Sequence, residues 1–149
     1  MSELDDLYQE ILLDHYRRPR NYGPLPSADR EVEGHNPLCG DRLSLRLRLD
    51  GERVEEVRFE GSGCAISTAS ASMMTEAVKG RSRQEALALA ERFRALLTDA
   101  AAPPATDELG ELVALVGVRA FPMRVKCATL AWHALRSALS EGAGRISTE

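Results

Sequence analysis

The feature that most constrains this chain is a stretch in which hydrophobicity changes with a period of two. Leu43, Leu45, Leu47 and Leu49 alternate with Arg42, Ser44, Arg46 and Arg48. Successive side chains of a strand point to opposite faces. The stretch therefore reads as a half-buried antiparallel strand, with leucine on one face and mainly arginine on the other. Asp50-Gly51 is a hairpin signal, and residues 54–60 supply the return strand. Val57 and Phe59 share a face while Val54 is out of phase, which places a bulge near Glu55. Residues 31–33 could add a third, edge strand.

Around this hairpin the pattern is helical. Leu4, Leu7, Tyr8, Ile11, Leu12 and Tyr16 recur at helical spacing over residues 4–18, and Pro19 ends the run. A second helix spans 65–79, is crowded with Ala and Ser, and stops at Gly80. Ser82-Arg83-Gln84-Glu85 has the form of a capping box and opens a helix to about residue 98. Residues 99–106, with Pro103-Pro104, read as a linker. A short helix over 109–116 follows. Pro122 suits the first turn of a last helix, which runs to about residue 140. The tail from Gly142 is expected to fray. Helix, strands, then helices imply one α+β domain over residues 1–149. Its small antiparallel sheet of about three strands would carry helices on one face.

Composition removes several classes of function. The net charge of −4 disfavours a protein that binds nucleic acid by neutralising phosphates. No apolar run approaches the ~20 residues of a membrane-spanning helix. The start, Met1-Ser2-Glu3-Leu4-Asp5-Asp6, lacks the basic and apolar regions of a secretory signal, so a cytoplasmic protein is expected. Three cysteines cannot all pair within one chain, and in a reducing compartment they are thiols.

Their settings carry the chemistry. Cys39 lies in a turn before a strand, in Asn36-Pro37-Leu38-Cys39-Gly40-Asp41. Cys64 follows Gly61-Ser62-Gly63 at a strand–helix junction. Cys127 opens the last helix, after Arg124-Val125-Lys126. A free cysteine is often only a small buried hydrophobe, but none of these sits in an apolar stripe. Helix N-termini near Cys64 and Cys127, and the charges of Arg124 and Lys126, would favour thiolate. The spacings are not those of a CxxC metal motif. Asp41 is either an ordinary loop carboxylate or a fourth, oxygen ligand beside three thiolates, a set suited to tetrahedral zinc. His35 is near enough to Cys39 in sequence to be a weaker candidate ligand. His15 reads as a partly buried helical histidine, and His133 lies too far round its helix from Cys127.

Four segments in order resemble the U-type iron–sulfur cluster assembly proteins, the IscU and NifU N-terminal family. They are Leu13-Asp14-His15-Tyr16-Arg17-Arg18-Pro19-Arg20-Asn21, the Asn36–Asp41 segment, Phe59-Glu60-Gly61-Ser62-Gly63-Cys64-Ala65-Ile66-Ser67 and Arg124-Val125-Lys126-Cys127-Ala128-Thr129-Leu130-Ala131-Trp132. Lys126, where IscU-type scaffolds carry His, and the long stretch between Cys64 and Cys127 look like the SufU branch, and by that resemblance residues 82–106 are an inserted helix and linker. The resemblance implies an α+β fold and a zinc site at Cys39, Asp41, Cys64 and Cys127. It also implies a cysteine desulfurase of the SufS type as partner, with downstream iron–sulfur scaffold or carrier proteins. Cys39, on the most mobile segment, would accept persulfide sulfur. Arg124 would pair with Asp41 when the site opens, or remain a solvated surface arginine. The alternatives are a scaffold that assembles an iron–sulfur cluster on the same ligands and a purely structural zinc protein. The surfaces expected to meet a partner are the first helix, the Cys39 loop and the small-residue helix.

Overall fold

A computed structural model describes residues 3–98, 109–140 and 143–147. In chain order it holds α1 (Glu3–Arg17), β1 (Arg30–Asn36), β2 (Asp41–Asp50), β3 (Arg53–Ser62), α2 (Ala65–Val78) and α3 (Arg83–Thr98). A 3-10 segment (Gly110–Ala120), α4 (Pro122–Ser140) and β4 (Ala143–Ser147) complete it. The expected linker over 99–106 lies outside the described residues.

The alternation at 42–49 becomes β2. Leu43, Leu45 and Leu47 are buried, while Arg42 is exposed and Arg46 and Arg48 are half-buried. The polar face is laced by cross-strand pairs: Arg46 meets Glu60 at 2.7 Å, and Ser44 donates to Glu33 at 2.7 Å. β2 pairs antiparallel with both β1 and β3. The register slips at one point, where Leu49 faces Val54 but Arg48 faces Glu56. Glu55 is the extra residue, and the bulge turns both Val54 and Val57 into the core.

The tail differs from expectation. Residues 143–147 do not fray but form β4, which pairs parallel with β1 and gives the sheet order β3-β2-β1-β4. The three-stranded antiparallel sheet thus gains a parallel edge strand. The reason is the unpaired ladder that β1 would otherwise present as an edge. Gly34 also leaves room there: a Cβ would sit 3.5 Å from Ile146 Cδ1 and 3.2 Å from Leu130 Cδ1.

α4 and α2 cover the leucine face. α2 is buried almost all round, including Ser67, Ala69, Ser70, Ala71, Ser72 and Thr75. Its small residues let α1 and α4 approach closely, so it is core rather than partner surface, contrary to expectation. The buried hydroxyls of Ser70, Ser72 and Thr75 are all used. Ser70 donates to the Ala128 carbonyl at 2.5 Å and accepts the Trp132 indole N–H at 3.2 Å. Trp132 in turn stacks on Phe93 of α3, centroids 4.7 Å apart. Thr75 accepts from the Asn21 amide at 3.0 Å. The capping box forms with both arms, Ser82 N–H to Glu85 at 3.0 Å and Glu85 N–H to Ser82 Oγ at 3.1 Å. The segment expected as a helix over 109–116 is a 3-10 turn run that extends to Ala120.

Candidate metal centre

The centre forms where the β1–β2 turn, the end of β3, the start of α2 and the second turn of α4 converge. Cys39 sits exposed at the tip of the turn. The turn is closed by the Asn36 carbonyl, which accepts the Cys39 N–H at 3.3 Å and the Gly40 N–H at 2.9 Å. Gly40 adopts φ +74°, a conformation that other residues reach only with strain.

Asp41, the first residue of β2, is completely buried. Its Oδ1 accepts the Cys64 backbone N–H at 2.9 Å and its Oδ2 accepts the Asn36 amide at 3.2 Å. Gly63 makes this approach fit, because a Cβ there would lie 2.6 Å from Asp41 Oδ1. Cys64 is the N-cap of α2, and its Sγ accepts the Ser67 N–H at 3.4 Å. A sulfur therefore takes the place usually held by a capping hydroxyl or carboxylate. Cys127 is fully buried on α4. Its thiol donates to Cys39 Sγ at 3.3 Å and accepts from the Asn36 amide at 3.5 Å.

Ligand atoms of Cys39, Asp41 and Cys127 all lie within 4.8 Å of one another. Cys64 stands outside that tight triplet, yet it is joined to it through its N–H on Asp41 and its influence on Cys127. Burial, with Asp41, Cys39 and Cys64 beside it, pushes the Cys127 thiol far above the ordinary range. Without a cation, burial outweighs what the helix terminus, Arg124 and Lys126 would offer its thiolate. Cys127 sits a turn inside α4 and out of water, where desolvation outweighs the terminal dipole. A cation inverts that balance.

The donor set fits a soft or borderline dication. Two sulfurs and a carboxylate lie together with the Cys64 thiol beside them, and once deprotonated these groups repel one another unless a positive charge lies among them. Bonds of ~2.3 Å to a tetrahedral zinc place two sulfurs about 3.8 Å apart. The observed 3.3 Å between Cys39 and Cys127 needs only a small outward shift, which the exposed turn can supply.

The other sequence candidates fall elsewhere. His35 lies half-buried near the end of β1 and is not part of the triplet. His133 is half-buried on α4, with Arg136 and Arg94 acting on it. His15 is fully buried on α1 and bonds Ser72 Oγ at 2.7 Å through Nδ1. Arg124 is exposed while Asp41 is sealed; in this arrangement Asp41 is held by Asn36 and Cys64. Asn36 itself was quoted in the motif without a role. Its contact with Cys127 spans 91 residues of sequence and has no local signal. The space at Gly63, which Asp41 occupies, likewise has no local signal in the sequence.

Among the described residues no helix is long and apolar enough to cross a membrane. The profile of the NifU-like N-terminal domain matches residues 7–128. An iron–sulfur cluster assembly scaffold protein IscU of Streptococcus pyogenes serotype M1 is 46% identical over 143 residues, covering 96% of this chain and 89% of that protein. The zinc-dependent sulfurtransferase SufU of Bacillus subtilis strain 168 is 45% identical over 143 residues and is covered to 96% in both chains. The crystal structure of a candidate iron–sulfur cluster assembly scaffold of the SUF system from Fervidobacterium islandicum AW-1 superposes with a TM-score of 0.83 at 34% identity. It covers 94% of this chain and 100% of that one. This chain belongs to the family of NifU-like N-terminal domains.

Proposed function

We propose that this protein is a zinc-binding sulfur acceptor in iron–sulfur cluster assembly, with Cys39, Asp41, Cys64 and Cys127 as the zinc ligands. The observation that carries the reading is the contrast within the centre. Asp41 and Cys127 are sealed, whereas Cys39, against the same groups, is exposed on a turn. When bound, zinc supplies the positive charge that keeps these thiols deprotonated. Asn36 and the Cys64 N–H hold the Asp41 carboxylate in place, and Cys39 is free to turn outward.

The sulfur step is an exchange on a sulfur–sulfur bond. The donor is the cysteine persulfide of a cysteine desulfurase of the SufS type. Cys39 thiolate attacks its outer sulfur, so a new S–S bond forms on Cys39 and the desulfurase S–S bond breaks. The bonding pair leaves on the desulfurase thiolate, and no net oxidation occurs. Leu38, immediately before Cys39, is 54% exposed; Phe121 and Met123, at the start of α4, are 60% and 52% exposed. Apolar side chains this open beside the centre suit a protein partner. Reduced thiols and the composition fit a cytoplasmic setting, where the sulfur would pass to downstream scaffold or carrier proteins.

The relative named as a zinc-dependent sulfurtransferase supports this reading. The relatives named as scaffolds favour a second one, in which an iron–sulfur cluster is built on the same thiolates as cargo. Lys126 bears on the choice, because an ammonium is a poor metal ligand. The test is intact-mass analysis after incubation with cysteine and the desulfurase. One added sulfur on the zinc-loaded protein, absent from Cys39→Ala, is the expected result. Unmodified protein, together with anaerobic formation of a cluster that transfers to an apo-protein, would establish the scaffold reading instead.

A further inference from the structure

A second group of ligand-type side chains lies on another face of the molecule. His15 of α1, Glu76 of α2 and Glu111 of the 3-10 segment bring one ligand atom each within 4.8 Å of one another. His15 is 1% exposed, and its Nε2 is a buried nitrogen with no hydrogen-bond partner among the described residues. It points at Glu111 Oε2, 3.6 Å away, and Glu76 Oε1, 3.9 Å away. Both distances are too long for a hydrogen bond. They are close to the separation of two atoms bound to one metal ion, since bonds of ~2.0–2.2 Å put tetrahedral ligands about 3.4 Å apart.

Ser72 can accept from Nδ1, the tautomer that a ligating histidine requires. Nδ1 lies 2.7 Å from Ser72 Oγ, so a proton held there leaves the Nε2 lone pair facing the carboxylates. Ser72 Oγ is itself fixed by the Arg20 backbone N–H at 2.8 Å. The two carboxylates are about half exposed and border a cavity of about 360 Å³, which leaves room for water on the metal. Arg20 Nε lies 3.9 Å from Glu76 Oε1 and competes for that carboxylate. The site would therefore be open and exchangeable.

We infer that His15, Glu76 and Glu111 form a second, labile site for a divalent first-row cation, separate from the cysteine centre. One imidazole and two carboxylates suit Mn²⁺, Fe²⁺ or Zn²⁺, whereas the cysteine centre selects a softer ion. Two negative charges match one dication. The ion would join α1, α2 and the 3-10 segment, which come from three separate parts of the sequence.

The test uses the full chain with its cysteine centre first loaded with one equivalent of zinc. Mn²⁺ is the probe, read by the electron-paramagnetic-resonance signal of the free ion. The expected result is uptake of one Mn²⁺ per chain, weakened roughly tenfold or more in Glu111→Gln and unchanged in Glu52→Gln, an exposed carboxylate outside the cluster. Glu111 is exposed, so its substitution leaves the fold intact. Nitrogen-15 NMR on the zinc-loaded chain gives an independent readout: a further equivalent of Zn²⁺ should shift His15 Nε2 while Nδ1 keeps its proton. No Mn²⁺ uptake, or equal uptake by Glu111→Gln, would overturn the inference. So would a His15 ring that is doubly protonated at neutral pH and indifferent to zinc, because the cluster would then be an ion pair.

Discussion

Gly63→Ala is the sharpest perturbation of the cysteine centre that changes none of its ligands. The added Cβ would meet Asp41 Oδ1 at 2.6 Å, Cγ at 3.2 Å and Cβ at 3.3 Å. Ordinary contact begins near 3.4 Å, so the carboxylate must retreat by about 0.8 Å. It is completely buried, with nowhere to go that keeps its bond to the Cys64 N–H at 2.9 Å. Losing a buried charge-assisted hydrogen bond costs about 1.5–3 kcal/mol, and overpacking costs about 1–3 kcal/mol. These overlap, since relieving one incurs the other. A destabilisation of about 2–3 kcal/mol is the expected sum, together with roughly 10–100-fold weaker zinc binding, as for misplaced metal-site partners. Urea unfolding and competition with a chromophoric chelator measure the two effects. Gly117→Ala is the control, because a Cβ there meets nothing within 4 Å, and it should stay within about 0.5 kcal/mol of the parent. Parental stability and parental zinc affinity in Gly63→Ala would refute the argument that Asp41 is fixed by the space at Gly63.

Ser70→Ala removes the acceptor of the buried Trp132 indole N–H and should cost about 1–3 kcal/mol in urea unfolding. Cys39→Ala, at an exposed turn tip, should change the stability of the metal-free protein by no more than about 0.5 kcal/mol. His133 is held below its ordinary value of 6.5, first by burial and then by Arg136 and Arg94. The folded state thus binds that proton less readily than the unfolded state. The stability tied to it is present above about pH 6.5 and is lost as the pH falls through that value towards the folded pKa. Unfolding midpoints between about pH 7.5 and pH 5.5 should fall, and His133→Gln should flatten that part of the fall.

Much of this fold is legible in the sequence where periodicity is strong. The leucine alternation fixes β2, and the phase of Val54 against Val57 locates the bulge at Glu55. The capping box at Ser82 marks α3, and Pro122 marks α4. What escapes is determined by long-range partners. β4 is short, contains Gly144 and has no alternation of its own; it is a strand because β1 offers an open edge. The small residues of α2 suggest close approach, but only packing decides that the neighbours are α1 and α4 rather than another protein. At the cysteine centre the motifs identify the sulfurs and Asp41, while Asn36 and Gly63 acquire roles only through contacts. The cluster of His15, Glu76 and Glu111 spans 96 residues of sequence with no motif linking its members.

The central claim is that the zinc-loaded chain accepts sulfur through Cys39. The measurement that tests it most directly is the rate of alanine formation from cysteine by the cognate desulfurase, with and without this protein. The account predicts a large, saturable increase that Cys39→Ala abolishes. No increase with an active desulfurase, or full stimulation by Cys39→Ala, would contradict it.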